Sequence, residues 1–253
     1  CNILCKNPVK YVINTHAHND HIGGNQVFEG ATIISTMITR NEMATKLPAE
    51  IAEDQVQAVE ILAQMRTADT SNMSDFDRKE FFLRKYYLEG IVQSATQLKL
   101  RLPELCFDRE LELHGTLQSI RVYCWGAGHS KQDVIVFLPL EGIVFTGDLV
   151  FNQFHPWLSD GDPDLWKAYL EKISSLALKK LVPGHGNVGD LNSVHLMKKY
   201  FEAVDSLASH CFINKIAPAS IGRMNFPMPF REWYLSGFIK PNMNYSFNRK
   251  FKK

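Results

Sequence analysis

Residues 15–24 read T-H-A-H-N-D-H-I-G-G, which puts three histidines and an aspartate within six positions. Imidazole nitrogen and carboxylate oxygen are the donors a zinc ion prefers, at about 2.0–2.2 Å. Whatever fold the chain adopts has to present this cluster in an orderly way. Residues 9–15 (V-K-Y-V-I-N-T) are rich in β-branched side chains and read as a strand. His16 and His18 therefore follow a strand, and in extended backbone the side chains at i and i+2 point the same way, so the two can grip one metal. Asp20 and His21 come after a bend where a helix starts, and are expected to face a second metal.

Four donors do not complete two coordination spheres, so the rest must come from distant parts of the chain. Three candidates are expected on polar loops just after strands: His129 in G-A-G-H-S, Asp148 in F-T-G-D-L and His185 in V-P-G-H-G. Flanking glycines let the backbone turn sharply and bring each side chain inward. Strand ends are also where sites on layered folds gather.

The surrounding pattern predicts the scaffold. Residues 31–35 (A-T-I-I-S) read as a second short strand. From about residue 39 to 100 the texture is helical. Val56, Val59, Leu62 and Met65 recur at three-residue steps, Ser74 to Asp77 makes a capping box, and Phe82/Tyr86 and Leu83/Tyr87 form i,i+4 pairs. Two or three helices are expected there, with their large apolar residues used for packing. Residues 110–114 and 118–125 suggest a hairpin around Gly115, and 134–138 and 142–146 suggest two more strands. An amphipathic helix is expected over 163–178, with Leu165, Tyr169, Ile173 and Leu176 on one face. A short strand at 181–182 and a helix over 191–209 follow. The tail from Asn214 is rich in Pro, Asn and aromatics, and its Arg249, Lys250, Lys252 and Lys253 read as solvated charges. His114, His195 and His210 read as structural. Hairpins mixed with strand–helix units point to a layered α/β or α+β domain with a helical insertion.

Composition narrows the function. The 253 residues carry a formal net charge of +1, with 45% hydrophobic and 22% charged residues. The basic excess of a nucleic-acid binder is missing, and a small-molecule substrate is expected instead. No run approaches the roughly 18 apolar residues of a membrane span, so no membrane partner is expected, and homo-oligomerisation stays open. A cytoplasmic location is expected; the chain begins at Cys1 rather than Met, which leaves a signal peptide open. The five cysteines, Cys1, Cys5, Cys106, Cys124 and Cys211, are odd in number and form no C-x-x-C pair, so reduced and mostly buried thiols are expected.

The order H-x-H-x-D-H, then G-x-G-H-S, T-G-D and P-G-H-G resembles the metallo-β-lactamase superfamily over roughly residues 8–190. The resemblance implies an αββα sandwich, two β-sheets face to face with helices outside, so the expected fold class is α+β. The expected domain spans 1–210, with the helical insertion at about 39–100 and a C-terminal extension over 211–253. Only residues 1–15 precede His16, where the superfamily normally places several strands, so a sandwich incomplete at its N-terminus is expected. The resemblance also implies two Zn2+ ions, with His16, His18 and His129 on one, Asp20, His21 and His185 on the other, and Asp148 bridging. Iron or manganese could take the same donors. A bridging Asp148 before P-G-H-G looks like the glyoxalase II and lactonase-like branches, whereas true β-lactamases lack that aspartate.

These implications define an expected zinc-dependent hydrolase that cleaves an ester, thioester or lactone-type bond by attack of a metal-bound hydroxide. Asp20 is the expected catalytic group, orienting that nucleophile and shuttling its proton. Thr15, Ser130 and Thr146 are candidates to hold the metal-binding imidazoles. Phe151, His155 and Trp157 are candidates to line the substrate pocket. A β-lactamase-like amidase and a non-catalytic metal-binding fragment are the alternatives.

Overall fold

The computed structural model describes residues 7–252; Cys1, Cys5 and Lys253, named above, lie outside them. The chain divides into two compact units, one ending at Asp108 and one beginning at Arg109.

The first unit contains β1 (Tyr11–Ile13), α1 (Asn19–Ile22), β2 (Thr32–Thr36), α2 (Met37–Thr45), α3 (Leu47–Arg66), α4 (Asp75–Ser94) and β3 (Leu105–Phe107). Its sheet has the order β1-β2-β3, and both pairings are parallel. Central β2 is almost wholly enclosed, with Ile33, Ile34, Ser35 and Thr36 buried, as expected of a parallel strand covered on both faces. Just past β1 the chain is tied down. Asn14 and Asn25 exchange carboxamide hydrogen bonds of 2.9 Å, and the Ser35 hydroxyl donates to the Asn14 carbonyl at 2.9 Å. The histidine-bearing segment thus leaves from an anchored point at the C-terminal end of β1.

Capping fixes where the insertion helices begin. Thr36 Oγ1 accepts from the Thr39 N–H at 3.1 Å ahead of α2. Ser74 Oγ accepts from the Asp77 N–H at 3.1 Å ahead of α4, the N-cap half of the expected box, and its hydroxyl donates to Asp77 Oδ2 at 2.6 Å. The packing face of α3 differs from the sequence expectation. Ala58 and Leu62 are buried with Leu88 of α4, whereas Val56 is 61% exposed and Val59 is also exposed. Each three-residue step falls roughly 60° short of a full turn. A run at 56, 59, 62 and 65 therefore spirals around the helix, and only its later members meet α4.

The second unit contains β4 (Glu110–His114), β5 (Ser119–Cys124), β6 (Val134–Leu138), β7 (Ile143–Phe151), α5 (Pro163–Ser174), β8 (Lys180–His185), α6 (Leu191–Ile213) and α7 (Ile239–Phe251). Its sheet runs β4-β5-β6-β7-β8, antiparallel except for the parallel β7–β8 pair, whose crossover contains α5. The core gathers Leu149 of β7, Trp166, Tyr169, Leu170 and Ile173 of α5, and Met197, Tyr200 and Phe201 of α6. Leu165, expected on the packed face of α5, is 52% exposed. It sits roughly 90° from the middle of the buried stripe. Trp166 belongs to that stripe, and its indole N–H donates to the Leu149 carbonyl at 2.9 Å.

The expected domain limit at residue 210 falls inside α6. In the segment after α6, Lys250 and Lys252 are exposed as expected, but much of the rest is packed. Phe226, Phe230, Trp233, Ile239 and Met243 join the core, Arg249 Nη1 pairs with Asp164 Oδ2 at 2.7 Å, and Lys250 Nζ donates to Ser209 Oγ at 2.9 Å. Cys124 and Cys211 are buried and Cys106 is half-buried. Among the described residues no helix is long and apolar enough to cross a membrane. Both units combine a sheet with helices, the mixed α+β content expected of the sandwich class.

Candidate metal centre

The first unit holds its donors on the segment that leaves β1. His16 is buried, and its Nδ1 lies 3.0 Å from Thr15 Oγ1, which turns Nε2 toward His18 Nδ1 at 3.1 Å. The His21 ring stands 4.3 Å from that of His16, centroid to centroid, and His21 Nε2 is 3.3 Å from Asp20 Oδ2. Asp20 and His21 lie on α1, as the predicted helix start requires. Behind them, Asn19 donates to Asp54 Oδ2 of α3 at 2.6 Å, so the insertion braces the donor loop. Burial pushes the Tyr87 phenol of α4 up to about 12, and the carboxylates of Asp20 and Asp54 add to the shift.

In the second unit His129, Asp148 and His185 converge. Asp148 is buried, and its Oδ2 lies 3.5 Å from His129 Nε2 and 3.4 Å from His185 Nε2. His129 follows β5, as expected. Asp148 does not lie on a loop after its strand: β7 continues through it to Phe151, with register shifts on either side of Gly147. His185 closes β8. The glycine before it has a steric reason. A Cβ on Gly184 would overlap Asp148 Oδ1, so the backbone can pass the carboxylate only without a side chain.

Two donors on one tetrahedral ion at about 2.0–2.2 Å stand roughly 3.3–3.6 Å apart. The Asp20–His21, His129–Asp148 and His185–Asp148 separations of 3.3, 3.5 and 3.4 Å match that edge, and His16–His18 at 3.1 Å falls just inside it. The donor chemistry, imidazole with carboxylate, is also what zinc takes. The residues therefore fit the ion.

Of the residues expected to steady the imidazoles, Thr15 does so. Ser130 instead folds its own loop, donating to Asp133 Oδ1 at 2.9 Å, and Thr146 stitches β7 to β8 through the Val182 carbonyl at 3.3 Å. The group on His129 Nδ1 is the backbone carbonyl of Trp157, at 3.1 Å, an acceptor with no side-chain signature in the sequence. Of the expected pocket residues, Phe151 is buried and stacks on His185 at 5.2 Å and 16°. Trp157 is half-buried and packs edge-on against Phe238 at 5.3 Å. His155, expected to line or rim the pocket, is instead fully buried among Tyr200, Phe226 and Trp233, with Nδ1 3.0 Å from the Tyr200 hydroxyl. The aromatic C-terminal segment closes over it and leaves no face for a substrate. Burial lowers its pKa to about 3.

Helix-bearing sheets that carry imidazole and carboxylate sets at zinc spacing define an α+β protein with a candidate metal site. The model of the metallo-β-lactamase superfamily matches residues 6–185, and the chain belongs to that superfamily. The metallo-β-lactamase type 2 of Bacteroides fragilis is 25% identical over 122 residues, which cover 46% of this chain and 49% of that protein. The chain thus spans about half the length of this curated relative. Among solved structures, a metallo-β-lactamase from Pontibacter korlensis is 21% identical, covers 75% of this chain and 67% of its own, and superposes with a TM-score of 0.48. The superfamily homologues are hydrolases and generally zinc-dependent.

Proposed function

We propose that this chain is a di-zinc hydrolase cleaving an ester, thioester or lactone-type bond in a small molecule. In this reading His16, His18 and His129 hold one ion, Asp20, His21 and His185 hold the other, and Asp148 serves both. The observation that carries it is Asp148: a single buried oxygen nearly equidistant from His129 and His185, at 3.5 and 3.4 Å, suits a ligand shared by two ions. The superfamily match over residues 6–185 takes in every one of these donors, which supports assigning them to one centre.

Bound zinc supplies a Lewis acid for the carbonyl oxygen and brings the pKa of water to about 7. The protein's part is positional. Thr15 and the Trp157 carbonyl hold the outer nitrogens of His16 and His129, so that Nε2 of each faces inward. Phe151 stacks along one face of the His185 ring and steadies it. Asp20, the exposed carboxylate, accepts a proton from the attacking water and returns it to the leaving group. The same reading takes the partner to be a small molecule rather than nucleic acid or membrane, and the compartment to be cytoplasmic.

Metal analysis of the purified, folded chain should give close to two zinc per chain; well under one would sink the reading, and iron or manganese in zinc's place would revise the ion. Steady-state assays with a thioester, a lactone and a cephalosporin should show turnover of one of the first two. The named relative from Bacteroides fragilis favours a β-lactamase-like amidase as the second reading. Turnover of the cephalosporin alone would select it.

A further inference from the structure

The C-terminal helix carries a residue aimed at the back of one proposed ligand. Asn242, on α7, is fully buried. Its Nδ2 donates to the Pro156 carbonyl at 2.7 Å, and its Oδ1 accepts from the Leu158 N–H at 3.0 Å. One carboxamide thereby brackets the tripeptide Pro156-Trp157-Leu158. The Leu158 N–H and the Trp157 C=O belong to the same peptide group, which is planar and trans, so they point in opposite directions. Pinning the N–H fixes the direction of the carbonyl. That carbonyl lies 3.1 Å from His129 Nδ1. A carbonyl can only accept, so Nδ1 carries the hydrogen and Nε2 presents its lone pair on the side of Asp148, 3.5 Å away.

We propose that Asn242 is a positioning residue for His129. Through the Trp157–Leu158 peptide it selects the Nδ1–H tautomer and the ring orientation that offers Nε2 to a metal. The chain runs from Asn242 Oδ1 through the Leu158 N–H and the Trp157 carbonyl to His129 Nδ1–H, and each hydrogen bond polarises the next. Among the described residues, the loop over residues 152–158 pairs through an isolated bridge of Phe154 with Tyr234 and through backbone bonds of Asn152, Gln153, His155 and the Leu158 carbonyl, and none of these engages the Trp157 carbonyl. The carboxamide supplies what secondary structure does not. A side chain in the last helix thus sets the basicity and aim of a ligand far earlier in the sequence.

This inference rests on the proposed role of His129, and the experiment separates the two. Zinc affinity is measured by chelator competition for the wild-type chain, for Asn242→Leu, and for Arg249→Ala as a control that loosens the same helix through its exposed pair with Asp164. Removal of a group that orients a ligand is expected to weaken zinc about 10–100-fold. Asn242→Leu should lose that much and alter the visible spectrum of the cobalt-substituted protein, while Arg249→Ala stays within about twofold of wild type by the same principle. An unchanged affinity in folded Asn242→Leu, or an equal loss in Arg249→Ala, overturns the proposal. Should Asn242→Leu fail to fold, the His129 tautomer in the metal-free wild type is read by nitrogen-15 NMR. A protonated Nδ1 supports the proposal, and a protonated Nε2 overturns it. Failure of the wild type to bind zinc counts against the di-zinc reading, and the tautomer still decides this one.

Discussion

Burial keeps His155 neutral down to about pH 3, whereas an exposed imidazole takes up its proton near 6.5. Unfolding at mildly acidic pH therefore binds a proton. The folded pKa is depressed, so the contribution is fully present above pH 6.5 and is lost as pH falls toward 3. Each pH unit inside that window costs about 1.4 kcal/mol, or roughly 2 kcal/mol between pH 6.5 and 5 by the same linkage. Replacing His155 with Gln should lower stability at neutral pH yet flatten its further decline. Urea unfolding at pH 7, 6 and 5, with each protein referred to its own value at pH 7, measures this, and parallel declines in the two proteins would refute the buried-histidine account. The same residue shows what one-dimensional reading can reach. Its closeness to Asp148 in the sequence suggested a pocket, but burial depends on Tyr200, Phe226 and Trp233, which arrive from far along the chain. The cluster from His16 to His21 was legible because its donors are sequence neighbours. The Trp157 carbonyl was not, since every residue has one.

At the scale of elements, periodicity located nearly every helix and strand but aimed some of them wrongly. The strand ending near residue 146 runs on to Phe151, because β8 pairs alongside it past the irregularity at Gly147 and holds Asp148 within the strand. Stepping by three residues counted Val56 and Val59 with Leu62, though the stripe that meets α4 runs through Ala58 and Leu62. This has a measurable consequence in two neighbouring turns of α3. Leu62→Ala should destabilise by about 2–3 kcal/mol, the lower part of the range for a buried leucine in a small cluster. Val56→Ala should stay within about 0.5 kcal/mol of wild type, as exposed substitutions do. Thermal unfolding of the two variants compares them directly, and similar losses would mean that the exposed face of α3 is packed in solution. The packing of the segment after α6 escapes local pattern for a related reason. Its Pro, Asn and aromatic composition resembles a loose tail, but the aromatics enter a core assembled from α5 and α6, and that contact is invisible to local pattern.

For the whole molecule, the proposed metal centre has a thermodynamic role. Its ligands are spread along the sequence from His16 to His185. An ion that binds only the folded chain stabilises it by about 2.7 kcal/mol per site at a free concentration one hundred times its dissociation constant. Calorimetry in saturating zinc should therefore show unfolding shifted upward relative to unfolding with a strong chelator present. Asp148→Asn, which weakens the carboxylate expected to serve both ions, should reduce that shift more than it reduces the stability of the metal-free chain. An equal zinc-induced shift in Asp148→Asn and wild type would show that this carboxylate holds no ion, and its shared role would have to be abandoned even if zinc binds tightly.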